Sequence, residues 1–257
     1  MTRALTRTSF HSSKLIRTLA DLALLEATEP APAVAEKLGH WIAFTDAIAL
    51  SGVHNASTAN PPDTPSRARG VAGAALEEEF TRTRTGLENT ITQSARPAVG
   101  RARAELALPR LDGSLEDATA YVPLRRYHQA HQRDMETHVR SLRARVRDGV
   151  AKAAPQLQQL VALDGAFDGI LRGRETKLLS TIPSLLEKRF HHLRQAHQQT
   201  LPDRPPTDHP DSGTQPGAWL ARFCNELQVV LLAELDLRLQ PVVGLLEALH
   251  NEKTNQL

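Results

Sequence analysis

Apolar side chains recur along this chain at intervals of three and four residues, the spacing that gathers them on one side of an α-helix. Residues 10–26 carry Phe10, Ile16, Leu19 and Ala23 in such a stripe, which continues into Leu22 and Leu25. Thr28-Glu29-Pro30 ends the segment, because the residue before a proline is pushed out of the α region. Residues 32–50 repeat the pattern with Val34, Leu38, Trp41, Thr45 and Ile48, which places Trp41 at the centre of a buried face. The two segments and their proline-bearing turn predict an N-terminal helical hairpin over 1–51. Residues 52–66 are polar, proline-bearing and non-periodic, and read as a linker.

A long-helix bundle is expected over 67–200. Its first helix, 67–108, has Val71, Ala75, Leu76, Phe80, Thr83, Leu87, Ile91, Ser94 and Ala98 near one stripe, with Pro97 kinking or splitting it. Pro109 to Asp117 breaks the pattern, and Ser114 followed by Asp117 offers an N-cap for a helix running from about 119 to 149. Pro155 opens the next helix, which carries Leu157, Leu160, Phe167, Leu171, Leu178, Leu185 and Leu186 toward Phe190 and Leu193, with Pro183 as an internal irregularity. Five prolines make 201–217 a second linker. A last helix, 218–250, has one face of Leu220, Cys224, Leu227, Leu231, Leu235, Arg238, Val242, Leu245 and Leu249, and a second of Val230, Leu237 and Leu239, with a kink at Pro241. A helix apolar on two faces belongs at the centre of a fold or an interface, so it is expected to pack on the bundle as a core helix. With no sustained period of two and no internal repeat, the fold class is all-α, an elongated helical bundle with coiled-coil character.

Composition agrees: 40% of the 257 residues are hydrophobic but only 4% aromatic, and the chain is long enough to bury a core without staples. The single cysteine, Cys224, rules out an internal disulfide and a cysteine-based zinc cage, and reads as a small buried residue in a reducing compartment. The longest apolar run is Val229 to Ala233, far short of the roughly 20 residues that span a bilayer. The first twenty residues are Arg-, Ser- and Thr-bearing without an acid, as in a transit peptide, but the apolar stripe running through them favours a folded helix. The expected location is the cytoplasm. Net charge is only +2, and the 25 arginines against 6 lysines do not by themselves argue for nucleic acid.

Arg126, Arg133, Arg140 and Arg147 are seven apart and line one side of a helix, with Arg143 beside them. Between Arg125 and Arg147 seven arginines face only Asp134 and Glu136, a ridge for an acidic partner or a phosphate backbone. The plainer reading is a solvated face opposite Met135, Val139, Leu142 and Val146. Single-strand binders interleave aromatic residues, and only Tyr121 and Tyr127 lie nearby. His128, His131 and His138 share a face with Met135, and His191, His192 and His197 form a second cluster, yet neither has a His-Glu-x-x-His or Glu-x-x-His spacing, so no metal is assigned. Gly165, Gly169 and Gly173 fall on one helix face and read either as a close helix approach or as a loop. Asp164 and Asp168 find ordinary partners in Arg172 and Arg174, and Glu234 with Arg238 reads as a structural pair. No nucleophile elbow or phosphate loop occurs, so no catalytic or cofactor residue is assigned and no cofactor is expected.

Three phrases, LTRTSFHSSKLIRTLADL at the start, KLLSTIPSLLEKRFHHLRQAH from Lys177 to His197 and LLAELDLRLQPVVGLLEAL from Leu231 to Leu249, resemble a proteobacterial domain-of-unknown-function family, number 3348, over essentially the whole chain. The resemblance implies a genomic setting beside membrane proteins similar to MotA, TolQ or ExbB and beside OmpA-like or MotB-like proteins, as in Zorya-type anti-phage defence. It supplies no catalytic residues. The resulting expectation is a non-enzymatic cytoplasmic adaptor or scaffold that does not insert in the membrane and docks protein partners, including a motor-like membrane complex or further copies of itself. Leu231, Leu235 and Val242, with the ridge Arg126, Arg133, Arg140, Arg143 and Arg147, are the candidate partner-binding residues. The alternative is a nucleic-acid-binding protein that uses the ridge on helix 119–149.

Overall fold

The computed structural model describes residues 13–22, 24, 42–55, 66–93, 106, 108, 120–200 and 218–255. All regular structure among them is helical: α1 (Lys14–Asp21), α2 (Phe44–Asn55), α3 (Ser66–Thr92), α4 (Val122–Ala153), a 3₁₀ turn (Pro155–Leu157), α5 (Gln158–Leu179), α6 (Ile182–Thr200) and α7 (Ala218–Asn255). Trp41, Phe10, Ala23, Leu25, Pro97, Ser114, Asp117 and the proline-rich stretch 201–217 lie outside the described residues.

Proline chemistry sets one boundary. A single helix was expected from Pro155 to beyond Leu193, but α5 ends at Leu179 and α6 starts at Ile182. Pro183 has no N–H to give to a preceding turn and is tolerated only in the first turn of a helix, where it now sits. The α6 start is built by Ser184 and Leu185 N–H groups donating to the Thr181 carbonyl, and the Tyr121 hydroxyl donates to the Pro183 carbonyl at 2.6 Å. Elsewhere α2 continues through Gly52 to Asn55, four residues into the expected linker, because nothing in Gly-Val-His-Asn forbids the helix. Pro241 lies inside α7.

The chain forms two compact units. Unit 1 comprises Met1–Pro30, Thr90–Gln132 and Leu179–Leu237; unit 2 comprises Ala31–Asn89, Arg133–Leu178 and Arg238–Leu257. In unit 1, α1 buries Leu15 and Leu19, α4 buries Tyr121's neighbours Leu124 and Tyr127, α6 buries Ile182, Leu186 and Phe190, and α7 buries Phe223, Leu227, Leu231 and Leu235. Its few aromatic residues are concentrated: Phe190 packs edge-on against Phe223 and Trp219, with ring centroids 5.3 Å apart in both pairs, and tilts against Tyr121 at 5.5 Å. Geometry of this kind adds to the area that such rings bury.

In unit 2, α4 presents Met135, Val139, Leu142, Val146 and Val150, a three-and-four stripe, to a core completed by Leu76 and Leu87 of α3 and by Leu239, Val242, Leu245 and Leu249 of α7. Here α3 and α4 come close: a Cβ at Gly149 would lie 2.7 Å from Leu76 Cδ2. Two expected core positions of α3 are instead on the surface, Val71 at 69% exposure and Ala75, because the buried side of the helix runs through Gly73, Leu76 and Leu87.

Leu142→Ala and Leu231→Ala should each lower the unfolding free energy by about 2–5 kcal/mol, since both side chains are fully buried. By contrast, nothing among the described residues lies within 4 Å of a Cβ built at Gly169, so Gly169→Ala should raise it by about 1 kcal/mol through helix propensity. Urea unfolding monitored by circular dichroism measures both.

Candidate functional site

The arginine ridge of α4 divides into two sets. Arg126, Arg133 and Arg140 are exposed, while Arg143 and Arg147 turn toward α5. A seven-residue spacing drifts about 20° per repeat on a straight helix, so Arg147 is rotated by about 60° from Arg126. There Arg143 donates from Nε to Asp164 at 3.0 Å and from Nη1 to Asp168 at 3.1 Å, and its Nη2 also meets Asp164. Arg147 donates to Asp164 at 3.4 Å and to Asp168 at 3.2 Å, and Arg172 donates to Asp168 at 2.6 Å. Arg145, further round, pairs with Glu79 of α3.

Burial works against ionisation of Asp168, but the hydrogen bond from Arg172 and the charges of Arg143, Arg172 and Arg147 outweigh it and hold the carboxyl below the usual carboxylate range. Of the two expected partners, Arg172 pairs with Asp168, while Arg174 pairs with neither carboxylate among the described residues; Arg143 and Arg147 of α4 take that place.

Leu231, Leu235 and Val242 are all fully buried in the core of the unit to which each belongs. Their apolar stripe is occupied by the chain's own helices, so a partner reaching this protein in its folded form meets other side chains. Glu234 and Arg238 do not form the expected pair. Glu234, fully buried in unit 1, lies with Oε1 2.9 Å from His128 Nε2 and accepts from Gln132 Nε2 at 2.8 Å. Arg238 points to Glu175 of α5 with 3.5 Å between Nη1 and Oε1. Each side chain therefore faces a neighbouring helix instead of its i, i+4 neighbour.

The histidines separate. His128 and His131 are buried on the apolar stripe of α4, whereas His138 is exposed and its Nδ1 lies 3.2 Å from Asp134. His131 Nε2 is 3.2 Å from the Leu106 carbonyl, and burial pushes its pKa down to about 4. Of the second cluster, His191 and His197 are half-buried beside Phe190 and Trp219, and His192 is exposed. No group of three or more His, Cys, Asp or Glu side chains placed to hold a metal ion occurs among the described residues. Cys224 is half-buried, and burial pushes its thiol pKa up.

Two features lie outside the sequence expectations or depart from them, since Ile48, Leu160 and Leu178, expected on buried stripes, are exposed. The first is Glu226 of α7, which accepts two 2.8 Å hydrogen bonds from the Arg189 fork and a third at 3.0 Å from Arg222. Burial raises its pKa less than these arginines lower it. Arg189 and Glu226 are remote in sequence, so only folding brings them together.

The second is the exposed apolar surface of unit 2. None of the residues of α2 is buried, with Phe44 at 82% and Ile48 at 57% exposure, one turn apart on the same side. In α5 only Leu179 is buried, and Leu160 and Leu178 are exposed. The glycines of α5 are helical, and among the described residues nothing lies within 4 Å of a Cβ built at Gly169 or Gly173.

A family model described as "Protein of unknown function (DUF3348)" matches residues 1–251. No curated protein and no solved structure matches the chain. No helix among the described residues is long and apolar enough to cross a membrane.

Stability should depend on pH through His131. Above pH 6.5 the imidazole is neutral in folded and unfolded chains alike, and between 6.5 and about 4 only the unfolded chain takes up the proton. The unfolding free energy should therefore fall across that window by up to about 3 kcal/mol, and His131→Gln should flatten the fall. Asp168 and Glu226, both held low, add their loss at more acid pH, as each is protonated. Urea titrations across the acid range test the slope.

Proposed function

We propose that this chain, which belongs to the DUF3348 family, is a non-enzymatic helical adaptor that docks an apolar helix of a partner protein on unit 2. The observation that carries this reading is α2, an apolar helix that buries none of its residues and holds out Phe44 and Ile48. Large apolar side chains left in water mark binding surfaces when they gather on one element. Of the seven large hydrophobic side chains exposed among the described residues, five (Phe44, Ile48, Val71, Leu160 and Leu178) belong to unit 2. The partner we assign is a cytoplasmic segment of a MotA- or TolQ-like membrane assembly, which places the chain in the cytoplasm as an accessory in anti-phage defence. That assignment rests on the family resemblance of the sequence.

Nucleic-acid binding is the second reading, favoured by the exposure of Arg126, Arg133 and Arg140 along one side of α4. Arg143 and Arg147 are tied to α5 and would add nothing, so three phosphate contacts would give a salt slope of only about −2.7 on duplex DNA.

Co-expression of the tagged chain with the neighbouring membrane protein, followed by purification in detergent, should recover both, and Phe44→Glu with Ile48→Glu should cut recovery on the order of tenfold or more. Both positions are exposed, so the variant should keep the parental unfolding midpoint. Failure to co-purify, together with a monomeric mass by light scattering, overturns the adaptor reading. DNA binding with the stated slope would put the second reading in its place.

A further inference from the structure

We infer that the cleft of unit 2 between α4, α5 and α7 binds a small oxyanion, inorganic phosphate or the terminal phosphoryl group of a small molecule. Four arginines line it: Arg140 and Arg143 from α4, Arg172 from α5 and Arg238 from α7. Glu136, Asp168 and Glu175 line it as well, so cationic groups outnumber anionic ones by one. Guanidinium groups stay protonated, which makes this excess independent of pH in the neutral range.

The four guanidiniums are not equally committed. Arg143 and Arg172 are held by Asp164 and Asp168 and form a fixed wall. Arg238 is different: its side chain is only 7% exposed, yet its Nε has no hydrogen-bond partner among the described residues. Its contact with Glu175, 3.5 Å from Nη1, is too long for a good hydrogen bond, and the Glu175 side chain is 41% exposed, so water screens that charge. Arg140 has no ion-pair partner among the described residues. A buried guanidinium with an unmet N–H is costly to keep, and a charged acceptor is what satisfies it best.

The cavity measures about 40 Å³, room for on the order of three waters. That space suits one compact anion. Phosphate fits the donor set, because several oxygens can accept from Arg140 and Arg238 together, and Thr176, which also lines the cleft, adds a hydroxyl. Carboxylates along the same wall keep affinity moderate.

Isothermal titration of the full chain with inorganic phosphate, against sodium chloride at matched ionic strength, is the test, together with the thermal unfolding midpoint in the same buffers. Phosphate should bind with one site and raise the midpoint where chloride does not. Arg140→Ala, at an exposed position, should keep the parental midpoint in chloride and weaken phosphate binding about tenfold, the scale of one lost charge-assisted hydrogen bond. Arg238→Lys, which keeps the charge and removes the Nε donor, should weaken it as well. Phosphate no more effective than chloride, or binding unaltered in Arg140→Ala, overturns the assignment. ADP binding more tightly than phosphate would identify the terminal phosphoryl group as the ligand form, and phosphate binding with ADP excluded would identify the free anion.

Discussion

Most acidic groups buried between helices meet a partner on a different helix, and the packing of both units depends on that matching. Leucine and valine stripes attract one another without direction, so a helix could turn or shift on its neighbour at modest cost. A buried charge left alone costs about 3–5 kcal/mol, which outweighs most such shifts. Glu234 against His128 and Gln132 pins α7 to α4 in unit 1, and Glu226 in the Arg189 fork pins α7 to α6. In unit 2, Asp164 and Asp168 against Arg143 and Arg147 pin α5 to α4. These contacts do not replace the apolar core; they select one arrangement of it.

The same matching decides which arginines remain for other work. A run of seven arginines on α4 invites a purely electrostatic function, but Arg143, Arg145 and Arg147 are neutralised by acids of α5 and α3. Arg126, Arg133 and Arg140 are exposed, but on a chain whose net charge is +2, too little for strong attraction to a polyanion. Apolar exposure is the more unusual property. Phe44 and Ile48 are surplus to the core of unit 2, whereas Leu231, Leu235 and Val242 are fully used within it or within unit 1.

Much of the fold was legible in the residues themselves. Period alone located the buried sides of α4 and α7, because Met135, Val139, Leu142 and Val146 and the run from Leu227 to Leu249 satisfy one face over many turns. Pairings within reach of four residues were legible too, as Asp168 with Arg172 illustrates. What stayed hidden was any pairing set by the third dimension. Glu234 and Arg238 have the spacing of an intrahelical pair, and only the placement of His128 and Glu175 shows why they part. The apolar side of 218–250 named buried residues as docking residues, because a sequence marks which side chains avoid water but not whether the companion surface is intramolecular.

α5 relies on ionic contacts more than on apolar burial. Its 22 residues bury only Leu179 fully and include three glycines, each unfavourable in a helix by about 1 kcal/mol relative to alanine. Neither propensity nor a dry apolar face therefore holds it in place, and the Arg143 and Arg147 contacts to Asp164 and Asp168 carry a large part of its attachment to α4. Solvent competes for ionic contacts more readily than for a packed core. An anion shared by α4, α5 and α7 would act as a further point of attachment, stabilising the attached form in proportion to the logarithm of its concentration above the dissociation constant.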